Sequence, residues 1–309
     1  MPRFCNRMSH GSHSHSHAPS NYNTAFTIGV ALNVGYIIVE LVVGFSIDSI
    51  ALIADAGHNL SDVLALLLAW VASALAATRP TTRRTYGLRR TTILASLTNA
   101  IILLIVIGAI AWEAIRRFSQ PEEVPGGTVM WTAGVGILVN LGTALLFVKG
   151  RERDINIRGA FLHMAADAAV SAGVVLAGLA ILLTGARWID PLTSLLVVVV
   201  IAIGTWGLLR ESIALAIDAV PENIDPEKVR GYLLSLPGVE DVHDLHIWAM
   251  STTEIALTAH VMKPEAANDD ALLKEAVQEL HQQFEIVHTT IQFERRPGCV
   301  GCETALKNV

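Results

Sequence analysis

The chain has 309 residues, of which 52% are hydrophobic and 16% are charged, and its mean hydropathy is +0.49. This composition is too apolar for an ordinary soluble domain of such a length, so part of the apolar surface is expected to face lipid. The formal net charge is -6 and the Lys and Arg residues lie in short clusters between apolar runs, so no nucleic-acid partner is expected.

The first 22 residues are predicted to form a cytosolic N-terminal arm. They lack the apolar core and the small-residue cleavage site of a secretory signal. Their histidines alternate with Ser and Gly, at His10, His13, His15 and His17. Interrupted histidines suit weak, labile metal collection, and an unstructured tail without a role is the alternative.

Six segments are apolar and long enough to cross a bilayer as helices, which takes about 20 residues each. They cover residues 24–45, 50–77, 91–115, 128–148, 160–184 and 188–208. Together they predict a six-helix transmembrane transport domain at 23–210. Most of the Arg and Lys residues between these segments follow the second and the fourth, so the positive-inside rule places both termini in the cytosol. The short loops favour a bacterial inner membrane.

Ionisable side chains inside two of these segments carry the chemistry. The second segment contains His58 and Asp62, and the fifth contains His163 and Asp167. The members of each pair are four residues apart, so they share one face of a helix. If the two faces meet, two imidazoles and two carboxylates converge in a four-coordinate set that suits tetrahedral Zn²⁺. A purely structural role is the weaker alternative, because four such groups in a bilayer cost on the order of 10 kcal/mol without a ligand.

Other polar residues of these segments have two interpretations. Asp55, one turn before His58, could attract the incoming cation or support the site, or it could serve local packing. Glu40, Asn33 and Asn140 are expected to line a polar interior or to make hydrogen bonds between helices, and for them the structural role is favoured.

Beyond residue 210 the pattern becomes that of a small cytosolic domain, predicted at 211–297. Helices are expected from Pro226 to Leu236 and from Asp269 to Phe284, and strands from Val239 to Met250, Thr253 to Met262 and Thr289 to Glu294. This αββαβ order closes into a split α/β sandwich of the ferredoxin-like kind. The predicted fold is therefore an α-helical membrane protein with six transmembrane helices followed by a small α+β domain.

The motifs as a set resemble a known family. ADAGHNLSD around the first His-Asp pair, YGLRR and LTNA at the start of the third segment, and HDLHIW in the cytosolic domain look like those of the cation diffusion facilitators, in their zinc-transporting branch of the cobalt/zinc/cadmium efflux type. The resemblance covers nearly the whole chain. It implies a homodimer whose cytosolic domains pair and whose protomers each exchange a metal ion for protons.

The resemblance also implies a regulatory metal site in the cytosolic domain. His243 and His260 match positions that bind such a metal in similar bacterial transporters. The last strand offers Gln292 and Glu294 where those relatives often have a His and an Asp, so Glu294 is the candidate third ligand.

The tail at 298–309 holds a C-x-x-C pair, Cys299 and Cys302, and the chain has three cysteines in all. Three cysteines cannot form a disulfide framework, which fits a reducing cytosol. The pair could add thiolates to the cytosolic site, as in some related vesicular transporters, or it could be a reduced surface pair without a role.

The expected function is export of Zn²⁺, with Co²⁺ or Cd²⁺ as further cargoes, in exchange for protons. The ion is the transported substrate and a regulatory ion; no cofactor and no catalytic residue is expected, so the chain is not predicted to be an enzyme. A membrane-anchored zinc sensor or store without transport is the alternative. A channel-like pore is a third candidate, although a tight tetrahedral site would hold its ion too strongly for rapid conduction.

Overall fold

Six long helices form the first part of the computed structural model, which describes residues 22–120, 122–147, 155–266 and 268–295. They are α1 (Tyr22–Ser46), α2 (Ile50–Ala76), α3 (Thr91–Ser119), α4 (Gly126–Phe147), α5 (Ile155–Thr184) and α6 (Ile189–Ala216). All six are long and apolar enough to cross a membrane. The predicted six-helix membrane part is therefore confirmed, whereas most of the N-terminal arm and the cysteine tail lie outside the described residues.

Helix α2 occupies a central place in the bundle, because it packs against α1, α3, α5 and α6. Its first half is buried, with Leu52 and Ala54 fully enclosed, whereas Trp70 in its second half is exposed as a lipid-facing side chain would be. The other strong helix pairs are α4 with α5 and α3 with α6. This arrangement brings the middle of α2 next to α5.

The close pairing of α4 with α5 depends on two glycines. A Cβ atom on Gly178 would lie 2.7 Å from the backbone nitrogen of Met130, and one on Gly126 would lie 2.5 Å from the carbonyl oxygen of Gly178. A side chain at either position would push the helices apart, so glycine is needed there, as is common where membrane helices approach closely. The contact holds α5 in place.

A buried carboxylate of α6 fixes the start of α2. Asp190 is 1% exposed. It accepts hydrogen bonds from the Ser49 hydroxyl at 2.6 Å and from the backbone N–H groups of Ile50 at 2.9 Å and Ala51 at 3.4 Å. Ser49 also accepts a hydrogen bond from the Leu52 N–H as the N-cap of α2. The first N–H groups of a helix have no partner within it, so this contact satisfies them where water is scarce.

The second part of the chain is a small α+β domain. It contains α7 (Pro226–Leu234), β1 (Asp241–Ala249), β2 (Ile255–Met262), α8 (Asp269–Phe284) and β3 (Ile286–Glu294). Strand β2 is central, antiparallel to β1 and parallel to β3, and the buried side chains Leu233, Leu257 and Leu280 join both helices to the sheet in one core. The predicted αββαβ order is confirmed.

Two charged contacts tie α8 to the end of the sheet. Asp269 pairs with Lys263 at 2.9 Å and with Arg295. The Lys263 ammonium and the Arg295 guanidinium hold the pKa of the Asp269 carboxyl below its usual value. Asp269 is therefore ionised at neutral pH and keeps both cations at the start of α8.

The connection between α2 and α3 rests on this domain. Arg89 pairs with Glu254 in the β1–β2 turn at 2.7 Å, and the ring of Tyr86 lies edge-on to that of His288 on β3, with centroids 5.4 Å apart. The end of α2 at Ala76 thus faces the α+β domain. A helix of 27 residues is about 40 Å long, so the start of α2 lies at the opposite end of the membrane part.

Candidate metal sites

Three of the four predicted ligands in the membrane part lie together. The His58 Nε2 atom is 3.3 Å from Asp167 Oδ1 and 3.8 Å from Asp62 Oδ2. One ligand atom from each of the three residues lies within 4.8 Å of the others. Ligands at about 2 Å from Zn²⁺ in a tetrahedron are separated by roughly 3.3 Å, so the three side chains are close to the spacing of one coordination sphere.

His163 is the fourth predicted ligand. It belongs to α5, four residues before Asp167, but its side chain is not among those that the structure describes. Its role as a ligand stays a prediction.

The three described side chains differ in exposure. Asp167 is 3% exposed, His58 is 20% exposed and Asp62 is 31% exposed. The Nδ1 atom of His58 is buried and has no hydrogen-bond partner among the described residues. Among the described side chains, the site is thus open at Asp62 and closed at Asp167, so an ion can reach it from the side of Asp62.

A cleft begins at Ala65, one helical turn beyond Asp62 on α2. Ala65, Ala69 and Ser73 follow Asp62 on one face of α2 and line a space of about 260 Å³ between α2, α3 and α6. The same cleft ends at Thr252 in the β1–β2 turn. It therefore extends from the α+β domain toward the exposed side of the site.

The α+β domain holds a second group of ligand-type side chains. His243 Nε2 is 3.2 Å from Glu294 Oε2, and His260 Nδ1 is 3.0 Å from Glu294 Oε1. His243 and His260 are paired across β1 and β2, and His260 is paired with Gln292 on β3, two residues before Glu294. The sheet register therefore explains why the three residues meet on one face.

Asp244 lies beside this group, although it is not among the residues predicted from the sequence. Its Oδ2 atom is 3.8 Å from His260 Nε2. Val242 and Ile247 are both buried although they are five residues apart, and strand alternation allows that only with an extra residue between them. The structure has this bulge between His243 and His246, with Asp244 at a φ of 52°. The odd spacing of the two apolar residues was the available signal.

The second histidine of the HDLHIW motif and the two tail cysteines are not part of the group that the structure describes. His246 is 62% exposed and contacts Asp244 at 3.1 Å, and it is not in the group formed by His243, His260 and Glu294. Cys299 and Cys302 lie outside the described residues, so their contribution stays a prediction.

Comparison with known proteins decides the family. The family model of the cation efflux transmembrane domain matches residues 26–215, and that of the cation efflux protein cytoplasmic domain matches residues 221–296. The chain belongs to the cation diffusion facilitator family. It is therefore an integral membrane cation efflux transporter and not an enzyme, and its α+β domain is cytoplasmic.

Several relatives resemble it over most of their length. The metal cation efflux system protein CzcD of Cupriavidus metallidurans is 35% identical over 95% of this chain and 92% of its own. The zinc transporter ZitB of Escherichia coli is 37% identical over 93% and 92%. The cadmium, cobalt and zinc/H(+)-K(+) antiporter of Bacillus subtilis is 33% identical over 91% of each.

Among solved structures, the metal-bound C-terminal domain of the CzcD transporter is 43% identical, covering 23% of this chain and 99% of that one with a TM-score of 0.22.

Proposed function

We propose that this cation diffusion facilitator exports Zn²⁺ from the cytosol in exchange for protons, with Co²⁺ and Cd²⁺ as further cargoes. The transport site is formed by His58, Asp62, His163 and Asp167. The observation that carries the proposal is the approach of His58 on α2 to Asp167 on α5, at 3.3 Å inside a membrane domain. Two carboxyl groups and two imidazoles would be costly there without a cationic partner.

The ligand types favour zinc. Imidazole nitrogen combined with carboxylate oxygen suits Zn²⁺ and similar first-row ions, whereas Mg²⁺ and Ca²⁺ prefer a shell of oxygen ligands. The relatives named as zinc transporters, and the one named for cadmium, cobalt and zinc, support the same choice.

Proton exchange follows from the ligands. Metal binding needs neutral imidazoles and ionised carboxylates, so protons compete with the metal ion for the same groups. An ion that arrives from the cytosol expels protons, and protons that arrive from the other side help to expel the ion. The Bacillus relative is named an antiporter, which supports this coupling.

The proposed assembly is a homodimer in a bacterial inner membrane with both termini in the cytosol. The matched cytoplasmic domain is a dimerisation domain by its family designation, and the relatives are bacterial. The cleft that runs from Thr252 toward Asp62 supplies the cytosolic entrance.

Vesicle flux tests the proposal. Purified protein is placed in vesicles that contain a zinc indicator and a pH indicator, and a zinc gradient is imposed without a pH gradient. We expect zinc to enter and the internal pH to rise as protons leave, and we expect zinc entry to accelerate when the interior is made acidic. Zinc movement without any counter-movement of protons would show a uniporter, and zinc binding without movement would contradict transport at this site.

We further propose that His243, His260 and Glu294 bind a regulatory Zn²⁺. Two imidazoles and a carboxylate within 4.8 Å of one another provide three ligands, and Asp244 or the thiolates of Cys299 and Cys302 would complete the shell.

A fragment that begins at Pro221 is expected to fold as a soluble dimer and to bind Zn²⁺. His260→Ala and His243→Ala should each weaken binding at least about tenfold, because each removes a ligand, as measured by titration calorimetry. His246→Ala is the matched control, since this exposed histidine lies outside the group, and its affinity should be unchanged. Undiminished binding in both ligand variants would contradict the site.

A further inference from the structure

Two buried carboxyl groups lie beside the proposed transport site. Glu40 on α1 and Asp55 on α2 are both 0% exposed, and their carboxyl groups lie next to each other. The Tyr36 hydroxyl donates to Glu40 Oε1 at 2.8 Å, and the Ser171 hydroxyl donates to Asp55 Oδ2 at 2.9 Å. The remaining oxygens, Glu40 Oε2 and Asp55 Oδ1, have no regular hydrogen bond among the described residues, and the buried Asn59 amide is one further donor beside Glu40.

Two ionised carboxylates would be unfavourable at this buried position. An ionised carboxylate only accepts hydrogen bonds, and two adjacent carboxylates repel each other strongly where water is excluded. One proton on Glu40 provides a donor for Asp55 and removes one of the two charges. Asp190 offers a contrast, because it is equally buried but both of its oxygens accept hydrogen bonds from donors of α2 and its cap.

No Lys or Arg side chain is among the groups that act on the pair in the described part of the chain. The titratable groups that act on the pair are Tyr36 on α1, His58 on α2 and Asp167 on α5. Helix α4, which also packs on α1, contains no Asp, Glu, His, Lys or Arg and offers the Thr132 carbonyl to Tyr36 at 3.4 Å. Helices α3 and α6 carry their charged residues near their ends, at Glu113, Arg116, Arg117, Asp190, Arg210 and Glu211.

The pair lies close to the proposed transport site, on the side away from the cytoplasmic domain. Asp55 precedes His58 by three residues on α2, which is about 4.5 Å along the helix axis, on the side away from the cytoplasmic domain. Ser171 follows Asp167 by four residues on α5, so it lies on the same helix face. The pair therefore lies between the transport site and the far side of the membrane and contacts both helices that bear the site.

We propose that Glu40 and Asp55 form a proton-binding site, separate from the metal ligands, that holds one of the protons exchanged for the metal ion. The inference rests on the proposed exchange of zinc for protons. A divalent ion at the transport site raises the positive potential at the pair and expels its proton. After the ion leaves, the pair takes up a proton from the far side, so that one of its two carboxylates is neutral again.

The test counts protons released per zinc ion bound, with full-length protein in detergent, by calorimetry in buffers of different ionisation enthalpy. Glu40→Gln supplies a permanent amide donor in place of the proton. It is expected to bind Zn²⁺ and to release about one proton fewer than the unaltered chain. Asp55→Asn is the second variant, with the same expectation if Glu40→Gln does not fold. Glu113→Gln, at the end of α3, is the matched control and should leave the count unchanged.

The outcomes separate this inference from the proposed function. If the unaltered chain releases protons and moves zinc, but Glu40→Gln and Asp55→Asn release as many protons as it does, the pair is not a proton site although the exchange stands. If the unaltered chain binds and moves zinc without proton release, the exchange itself fails, and the inference with it. Zinc affinity that depends on Na⁺ or K⁺ at fixed pH, and loses that dependence in Glu40→Gln, would place a monovalent cation at the pair and overturn the proposal.

Discussion

Replacing Asp167 with alanine is expected to abolish zinc transport while the protein still inserts and dimerises. Asp167 is 3% exposed and its Oδ1 atom lies 3.3 Å from His58 Nε2, so no water or neighbouring side chain can easily take its place. Loss of an outer-shell partner typically lowers metal affinity about 10- to 100-fold, and loss of a ligand should cost more. Zinc flux into vesicles and zinc binding in detergent measure both effects.

The same result is expected for the other three proposed ligands. His58→Ala, Asp62→Ala and His163→Ala each remove one member of the set, and the His163 variant tests the residue whose side chain the structure leaves undescribed. Asp270→Ala removes an exposed carboxylate from α8 and is the control for the substitution itself. Near-normal zinc flux in any two of the four site variants would refute the site.

The membrane helices were predictable because a segment that crosses the hydrocarbon core must be apolar along its length. Five of the six predicted segments end within about four residues of the observed helices, and α6 is the exception, since it continues from the predicted end at 208 to Ala216. Arg210 and Glu211 end the apolar run, but both are good helix formers. The apolar run therefore ends at the edge of the hydrocarbon core, whereas the helix continues beyond it.

The His-Asp pairs were predictable because helical spacing fixes which residues share a face. Spacing within one helix does not say which face of its neighbour it meets, since that depends on how each helix is rotated and packed. The contact between Glu40 and Asp55 joins α1 to α2 and needed the structure. From the sequence alone, a structural role is favoured for Glu40 and the role of Asp55 stays open, and the structure adds the buried position of both carboxyl groups beside the site.

Asp190→Ala is expected to destabilise the membrane domain by about 3 kcal/mol or more. The change leaves the Ser49 hydroxyl and the N–H groups of Ile50 and Ala51 without their acceptor at a buried helix start. Hydrogen bonds to charged groups contribute about 1.5–3 kcal/mol each, and an unsatisfied buried donor costs a further penalty. Because α2 carries His58 and Asp62, a shifted helix start should also weaken zinc binding in the protein that remains folded.

Thermal unfolding in detergent, followed by size-exclusion chromatography of heated samples, measures this loss. Ser49→Ala removes one neutral donor and is expected to cost about 1 kcal/mol, and Asp190→Asn, which keeps an acceptor oxygen, should fall between the two. This order separates the loss of hydrogen-bond acceptors from the loss of packing, since Asn has nearly the shape of Asp. An unfolding temperature of Asp190→Ala equal to that of the unaltered chain would show that α2 is held in place by its helix contacts alone.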